Sequence, residues 1–155
     1  MEQVFNFIIQ GRRAFIELLG DLSIEQLNEV PAGFNNNIIW NFGHIVVSSQ
    51  ALCYIRTGVR PDTAIKFVEA YAKGTKPSYF VTAEEVAELK TLALESIQQI
   101  ENDYKAGVFN NMTAFETSTY KEKMSSIEEV LITTIGHDNL HYGYAAAQKK
   151  IINNK

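Results

Sequence analysis

The sequence predicts an all-α fold: a four-helix bundle with long connections between the helices. Three observations predict it. Four stretches carry apolar residues at alternating steps of three and four, the mark of one buried helix face. Turn and cap residues separate those stretches. No segment shows the strict alternation of a half-buried strand, and long amphipathic helices bury their stripes most simply against one another. No repeat, low-complexity run or composition shift divides the chain. Its 155 residues therefore form an expected single domain, 1–155, long enough to bury a core without disulfides.

The first helix carries Val4, Ile8, Gly11, Phe15, Leu18 and Leu22 on one face, widened by Phe5, Ile9, Ile16 and Leu19. A stripe that wide faces a core rather than a narrow coiled-coil seam. Gly20-Asp21 stops it. From Ser23 to Asn37 the chain holds Pro31, Gly33 and the run Asn35-Asn36-Asn37, which is turn and cap chemistry. The second helix is expected over about Ile38 to Thr57, closed by Gly58. A short helix within Asp62–Ala72 would follow, before Gly74 and Pro77 break it. Thr82 with Glu85 three residues on starts the third helix as a capping box. Val86, Leu89, Ala93, Ile97, Ile100 and Tyr104 form its buried stripe, and Gly107 ends it. A polar connection leads to Met124. Ser125 or Ser126, with Glu128 and Glu129, opens the fourth helix, which runs to about Ile152.

Acidic residues outnumber basic ones, 18 to 14, for a net charge of −4. No segment gathers Lys and Arg into a basic footprint, which argues against nucleic acid as a partner. A single cysteine, Cys53, cannot close an internal disulfide and suits a reducing compartment. The N-terminus lacks the basic flank and apolar core of a signal peptide. No apolar run approaches the ~18 residues that would span a bilayer. A cytoplasmic protein with no membrane partner is expected.

The chain has three histidines. His137 and His141 stand four apart, so a helix puts both imidazoles on one face, a turn apart. Ile127, Val130, Thr134, His137, His141, Ala145 and Gln148 share that face, so the pair points inward. One inward histidine is ordinarily a hydrogen-bonded core residue. Two neutral imidazoles side by side each need a partner, and a metal would satisfy both at once. Spacing alone leaves the metal and the hydrogen-bonded pair both open. His44 lies on the second helix, on a face with Asn37, Trp40, Asn41, Val47, Ser48 and Ala51. Gly43 beside it allows another element to approach closely. Facing helices of bundles build metal sites from such inward side chains.

The segments Asn37-Ile38-Ile39-Trp40-Asn41-Phe42-Gly43-His44 and His137-Asp138-Asn139-Leu140-His141-Tyr142-Gly143-Tyr144 resemble the two signature regions of the DinB-like (damage-inducible) four-helix-bundle family. The resemblance covers nearly the whole chain. It implies that His44, His137 and His141 together bind a divalent metal. It also implies a homodimer, and an activity such as a transferase or isomerase using bacillithiol or mycothiol, although many members have none known. Two positions differ from the family pattern: Asp138 stands where glutamate is common, and Gly143-Tyr144 where Gly-Gln is.

Three neutral nitrogen ligands with an open position match catalytic rather than structural zinc sites. Zinc or nickel leads, although cobalt, iron and copper also accept three imidazoles. Such a metal lowers the pKa of a water or of a thiol co-substrate. One expectation is therefore a metal-dependent hydrolase or thiol S-transferase acting on a small molecule or low-molecular-weight thiol. Its pocket would be lined by Trp40, Asn37 or Tyr144. A second is a non-enzymatic metal-binding or stress-responsive protein in which the ion ties helices together. A third is a metal-free interaction module.

The remaining motifs have blander readings. Asp138 follows His137 as the glutamate does in His-Glu-x-x-His proteases, but it is expected at the surface or orienting an imidazole. Cys53, nine residues after His44, falls on the opposite side of the helix and packs. Thr134, Tyr144 and Gln148 flank the histidine pair. Lys73-Gly74-Thr75-Lys76-Pro77 lacks the spacing of a phosphate loop and is expected as an exposed turn. Glu84-Glu85 and Glu128-Glu129 are helix N-terminal acids.

Overall fold

The computed structural model describes residues 1–154, and it is mostly helical. Helix α1 (Glu2–Gly20) buries Phe5, Ile8, Arg12, Phe15, Leu18 and Leu19. Where turn chemistry alone was expected, a short helix α2 (Ile24–Asn28) forms. Ser23 Oγ accepts from the Gln26 amide, and Gln26 Oε1 accepts from the Ser23 amide. The capping box is legible in the sequence, but five residues are too few to carry a period.

Helix α3 (Ile38–Gln50) starts at Asn37, whose Oδ1 accepts from the Trp40 amide at 2.9 Å. It runs on into a π-helical segment, Ala51–Arg56, and the chain turns away at Gly58, where φ is +72°. The expectation that nothing here could span a bilayer needs correction. Ile38–Arg56 is 19 residues long with mean hydropathy 1.3, which by length and composition suffices to cross a membrane. The reason is its place in the fold: 72% of the window is buried inside the molecule, and a helix covered on all sides is apolar all round.

Helix α4 (Val68–Tyr71) is shorter than expected. Helix α5 (Ala83–Lys105) is capped by Thr82, whose hydroxyl accepts from the Glu85 amide. Glu85 does not complete the box, because its Oε1 accepts from the hydroxyls of Tyr71 at 2.6 Å and Tyr79 at 2.8 Å. Strands β1 (Phe115–Glu116) and β2 (Lys123–Met124) pair antiparallel. Strands of two residues cannot display an alternation, so the sequence does not reveal them. Helix α6 (Ile127–Asn153) begins with a complete capping box between Ser126 and Glu129.

Helix α1 packs on α6 and α5, and α3 packs on the same two. The core has two apolar clusters. One joins Phe5 and Ile8 of α1, Ile127 and Val130 of α6, Ile97 and Ile100 of α5, and Cys53 and Tyr54. The other joins Phe15 and Leu19 of α1, Ala145 and Ile152 of α6, Leu89 of α5, and Ile38 and Phe42 of α3. The start of α1 thus lies level with the start of α6 and the end of α5. Helices α1 and α6 run together, and α3 and α5 run against them. Parallel neighbours cannot be joined by a tight turn, which is why residues 57–82 form so long a connection between α3 and α5.

Candidate metal centre

All three histidines meet at the α3–α6 interface. Their rings have centroids 5.1 Å apart for His44–His137, 4.6 Å for His44–His141 and 4.6 Å for His137–His141. One ring nitrogen from each lies within 4.8 Å of the others, so small side-chain rotations let them share one cation. His44 is buried, and His137 and His141 are half-buried.

Two of the rings are held by the nitrogen that faces away from the cluster. His44 Nδ1 donates to the Tyr71 carbonyl at 2.7 Å, leaving Nε2 as the lone-pair nitrogen. His141 Nδ1 donates to Asn41 Oδ1 at 2.8 Å. The Asn41 amide is itself fixed, because Nδ2 donates to the Asn37 carbonyl, Asn36 Oδ1 and Gln148 Oε1 at 2.9, 3.1 and 3.2 Å. Gln148 Nε2 returns to Asn36 at 2.9 Å. Ligating histidines are commonly oriented in this way through their second nitrogen. Trp40 stacks on His44 at 4.7 Å and 10°, with its indole N–H donating to Thr75 Oγ1 at 3.0 Å.

A family model for the DinB superfamily matches residues 8–145, a span that includes all three histidines. The chain belongs to the DinB superfamily. No curated protein matches the sequence. The match of this DinB-superfamily chain spans both sequence motifs, residues 37–44 and 137–144. The glycine expected to admit a neighbour does so: a Cβ on Gly43 would lie 2.5 Å from the Tyr71 ring. That close approach is what brings the Tyr71 carbonyl to His44.

Asp138 is not at the surface. It is buried, its Oδ2 accepts from Arg12 Nε at 3.0 Å, and its Oδ1, 4.0 Å from His137 Nδ1, has no hydrogen-bond partner. Burial pushes the Asp138 carboxyl up, and the Arg12 guanidinium opposes it. Arg12 is fully buried and was missed by sequence reasoning, although its place between Ile8 and Phe15 on an apolar stripe was a visible signal. Its Nη1 donates to the Ala93 carbonyl and Ser96 Oγ, and its Nη2 to the Ile45 carbonyl and Ser49 Oγ. All five guanidinium N–H donors therefore have acceptors. The acceptors lie on α3, α5 and α6, so one side chain of α1 ties the four long helices together in a polar layer between the two apolar clusters.

Beyond the histidines lies a cavity of about 390 Å³, whose wall includes Ser48, Lys73, Thr117, Tyr120 and Leu140. This corrects the expected pocket lining. Asn37 is spent as the cap of α3, Trp40 is buried as a stacking partner, and Tyr144 is exposed. The hairpin tip supplies wall residues instead; Tyr120 reaches α6 where Gly136 leaves room, a Cβ there falling 2.8 Å from its hydroxyl. Ser48 does face the cluster, its Oγ 3.3 Å from His44 Nε2. Cys53 is buried in the apolar cluster of Phe5, Ile8 and Ile127, where burial raises the pKa of its thiol to about 12.

Burial lowers the pKa of His44 against the pull of the Tyr71 carbonyl. Burial first, then the neighbouring cationic groups, brings His137 down to about 4 and His141 to about 3. The rings are therefore neutral near pH 7, the state that metal ligation requires. Because these pKa values are depressed on folding, the unfolded chain binds more protons as pH falls below ~6.5, and stability must fall with it. Asp138 acts in the opposite sense but is one group against three. For metal-free protein, the urea midpoint is expected to drop steadily between about pH 6.5 and about pH 4.5. Replacing His137 and His141 together by Gln should flatten most of that slope. A wild-type midpoint constant over this range would mean that the rings are not buried in neutral form.

Proposed function

We propose that this DinB-superfamily chain is a four-helix bundle holding one divalent cation between His44, His137 and His141, and that it acts as an enzyme on a small molecule. The single observation that carries the reading is the convergence of three neutral imidazoles, two of them oriented by hydrogen bonds, at the edge of an accessible cavity. A purely structural ion needs a closed set of protein ligands; here no fourth His, Cys, Asp or Glu joins the cluster among the described residues. Zinc or nickel bound there supplies Lewis acidity, which favours the hydrolase or thiol S-transferase class.

The chain's own residues prepare that site. The Tyr71 carbonyl and Asn41 hold His44 and His141 with one nitrogen turned to the cluster. Trp40 covers one face of His44 and keeps solvent from it. The β1–β2 hairpin forms part of the cavity wall, and the volume of about 390 Å³ lies within the size range of small-molecule sites.

Metal content after loading with zinc or nickel and desalting tests the reading. Wild type should retain about one equivalent per chain. His137→Ala/His141→Ala should retain almost none while keeping its helical circular dichroism. Equal metal in the two proteins would refute the site.

A further inference from the structure

We propose that the cavity beside the histidines receives a small molecule with an oxyanion at one end and an apolar body, and that Lys73 and Arg56 hold the oxyanion. This rests on the reading above only in calling that molecule a substrate; the charge selection is a property of the cavity itself.

The protein is acidic overall, at −4. Yet its cavity wall contains Lys73 and Arg56 and, among the described residues, neither Asp nor Glu. Lys73 comes from the turn after α4, and its Nζ donates to Ser118 Oγ in the hairpin tip. Arg56 ends the π-helical segment, with Nη2 donating to the Glu116 carbonyl at 3.0 Å and the guanidinium 5.0 Å from the Phe115 ring centre. Both contacts are to neutral oxygens, and neither cation forms an ion pair among the described residues. Each keeps N–H donors free for a charged acceptor, the pairing in which a hydrogen bond is strongest.

A second observation is independent of these charges. Thr117, in the same wall and only 8% exposed, has a buried Oγ1 without any hydrogen-bond partner. A buried hydroxyl is costly to leave unsatisfied, and a rotation of the Thr117 side chain would let it donate to an oxyanion bound in the cavity that this residue lines. Val47, Leu52 and Val68 line the cavity as well, so a chain of a few carbons has apolar surface to lie on. A carboxylate and a phosphate monoester share the required chemistry.

Calorimetric titration of hexanoate, hexyl phosphate and uncharged hexanamide into zinc-free and zinc-loaded protein tests this. At least one anion should bind zinc-free wild type about tenfold more tightly than hexanamide, and the stronger anion identifies the head group. Lys73→Gln/Arg56→Gln, both exposed positions, should lose that preference while hexanamide binding and the zinc titration stay as in wild type. Thr117→Val should weaken the anion alone, with a melting temperature unchanged or raised. Absent anion binding, equal affinity for anion and amide, or a preference that survives the double substitution would each overturn the proposal. A wild-type protein that selects the anion but takes up no zinc would instead refute the metal reading and leave the anion site standing.

Discussion

Arg12→Met is expected to destabilise the protein by about 3–5 kcal/mol, the usual cost of leaving one member of a buried ion pair alone. The substitution keeps an unbranched chain of similar reach but removes every donor. Asp138, already carrying one unpartnered oxygen, would be left without its Arg12 hydrogen bond. Ser49 and Ser96, and the carbonyls of Ile45 and Ala93, would lose their guanidinium partner as well. Urea denaturation provides the measurement. The discriminating partner is Arg12→Met/Asp138→Leu, in which no charge is stranded; it should recover most of the loss, since apolar replacements of buried pairs are often neutral. If the double variant is no more stable than the single one, the damage lies in packing and not in the uncompensated carboxylate.

Gly43→Ala is the second large effect, and it couples stability to metal binding. The new Cβ would stand 2.5, 2.6 and 2.7 Å from three atoms of the Tyr71 ring. That ring is buried, and its hydroxyl is tied to Glu85 at 2.6 Å. It cannot swing out as a loose chain end would. Overpacking of this kind costs about 1–3 kcal/mol. The displaced residue is also the one whose carbonyl orients His44, so zinc affinity should fall by about 10–100-fold, the range for lost orienting partners. Competition with a chromophoric chelator reads the affinity. Gly136→Ala is the control: its Cβ meets only the hydroxyl end of exposed Tyr120, which can move aside, so neither quantity should change much. A Gly43→Ala protein with wild-type zinc affinity would show that the Tyr71 carbonyl does not position the imidazole.

The long helices were legible because each carries its own period and its own caps. Thr82, Ser126 and Asn37 cap where the sequence places caps, and the stripes of α1, α5 and α6 are buried as their spacing predicts. Helix α2 and the two-residue strands were not, for they are too short for any period. The convergence of His137 and His141 was readable from a step of four. That Asn41 orients His141 was not, because the bond spans α3 and α6, 100 residues apart. Arg12 could have been flagged as a polar residue on an apolar stripe, as Gln148 was, but the stripe does not say what either touches.

By itself the sequence determined what is local: four helical periods, their stops, an inward histidine pair, and two motifs that mark the family. Only the tertiary structure decided which helices run together, where the cavity opens, and how Asp138 came to be buried against Arg12. The physical reason is range. Periodicity and capping act within one or two turns of chain, whereas a shared cluster or a buried ion pair depends on crossings between elements distant in sequence, which no spacing of residues encodes.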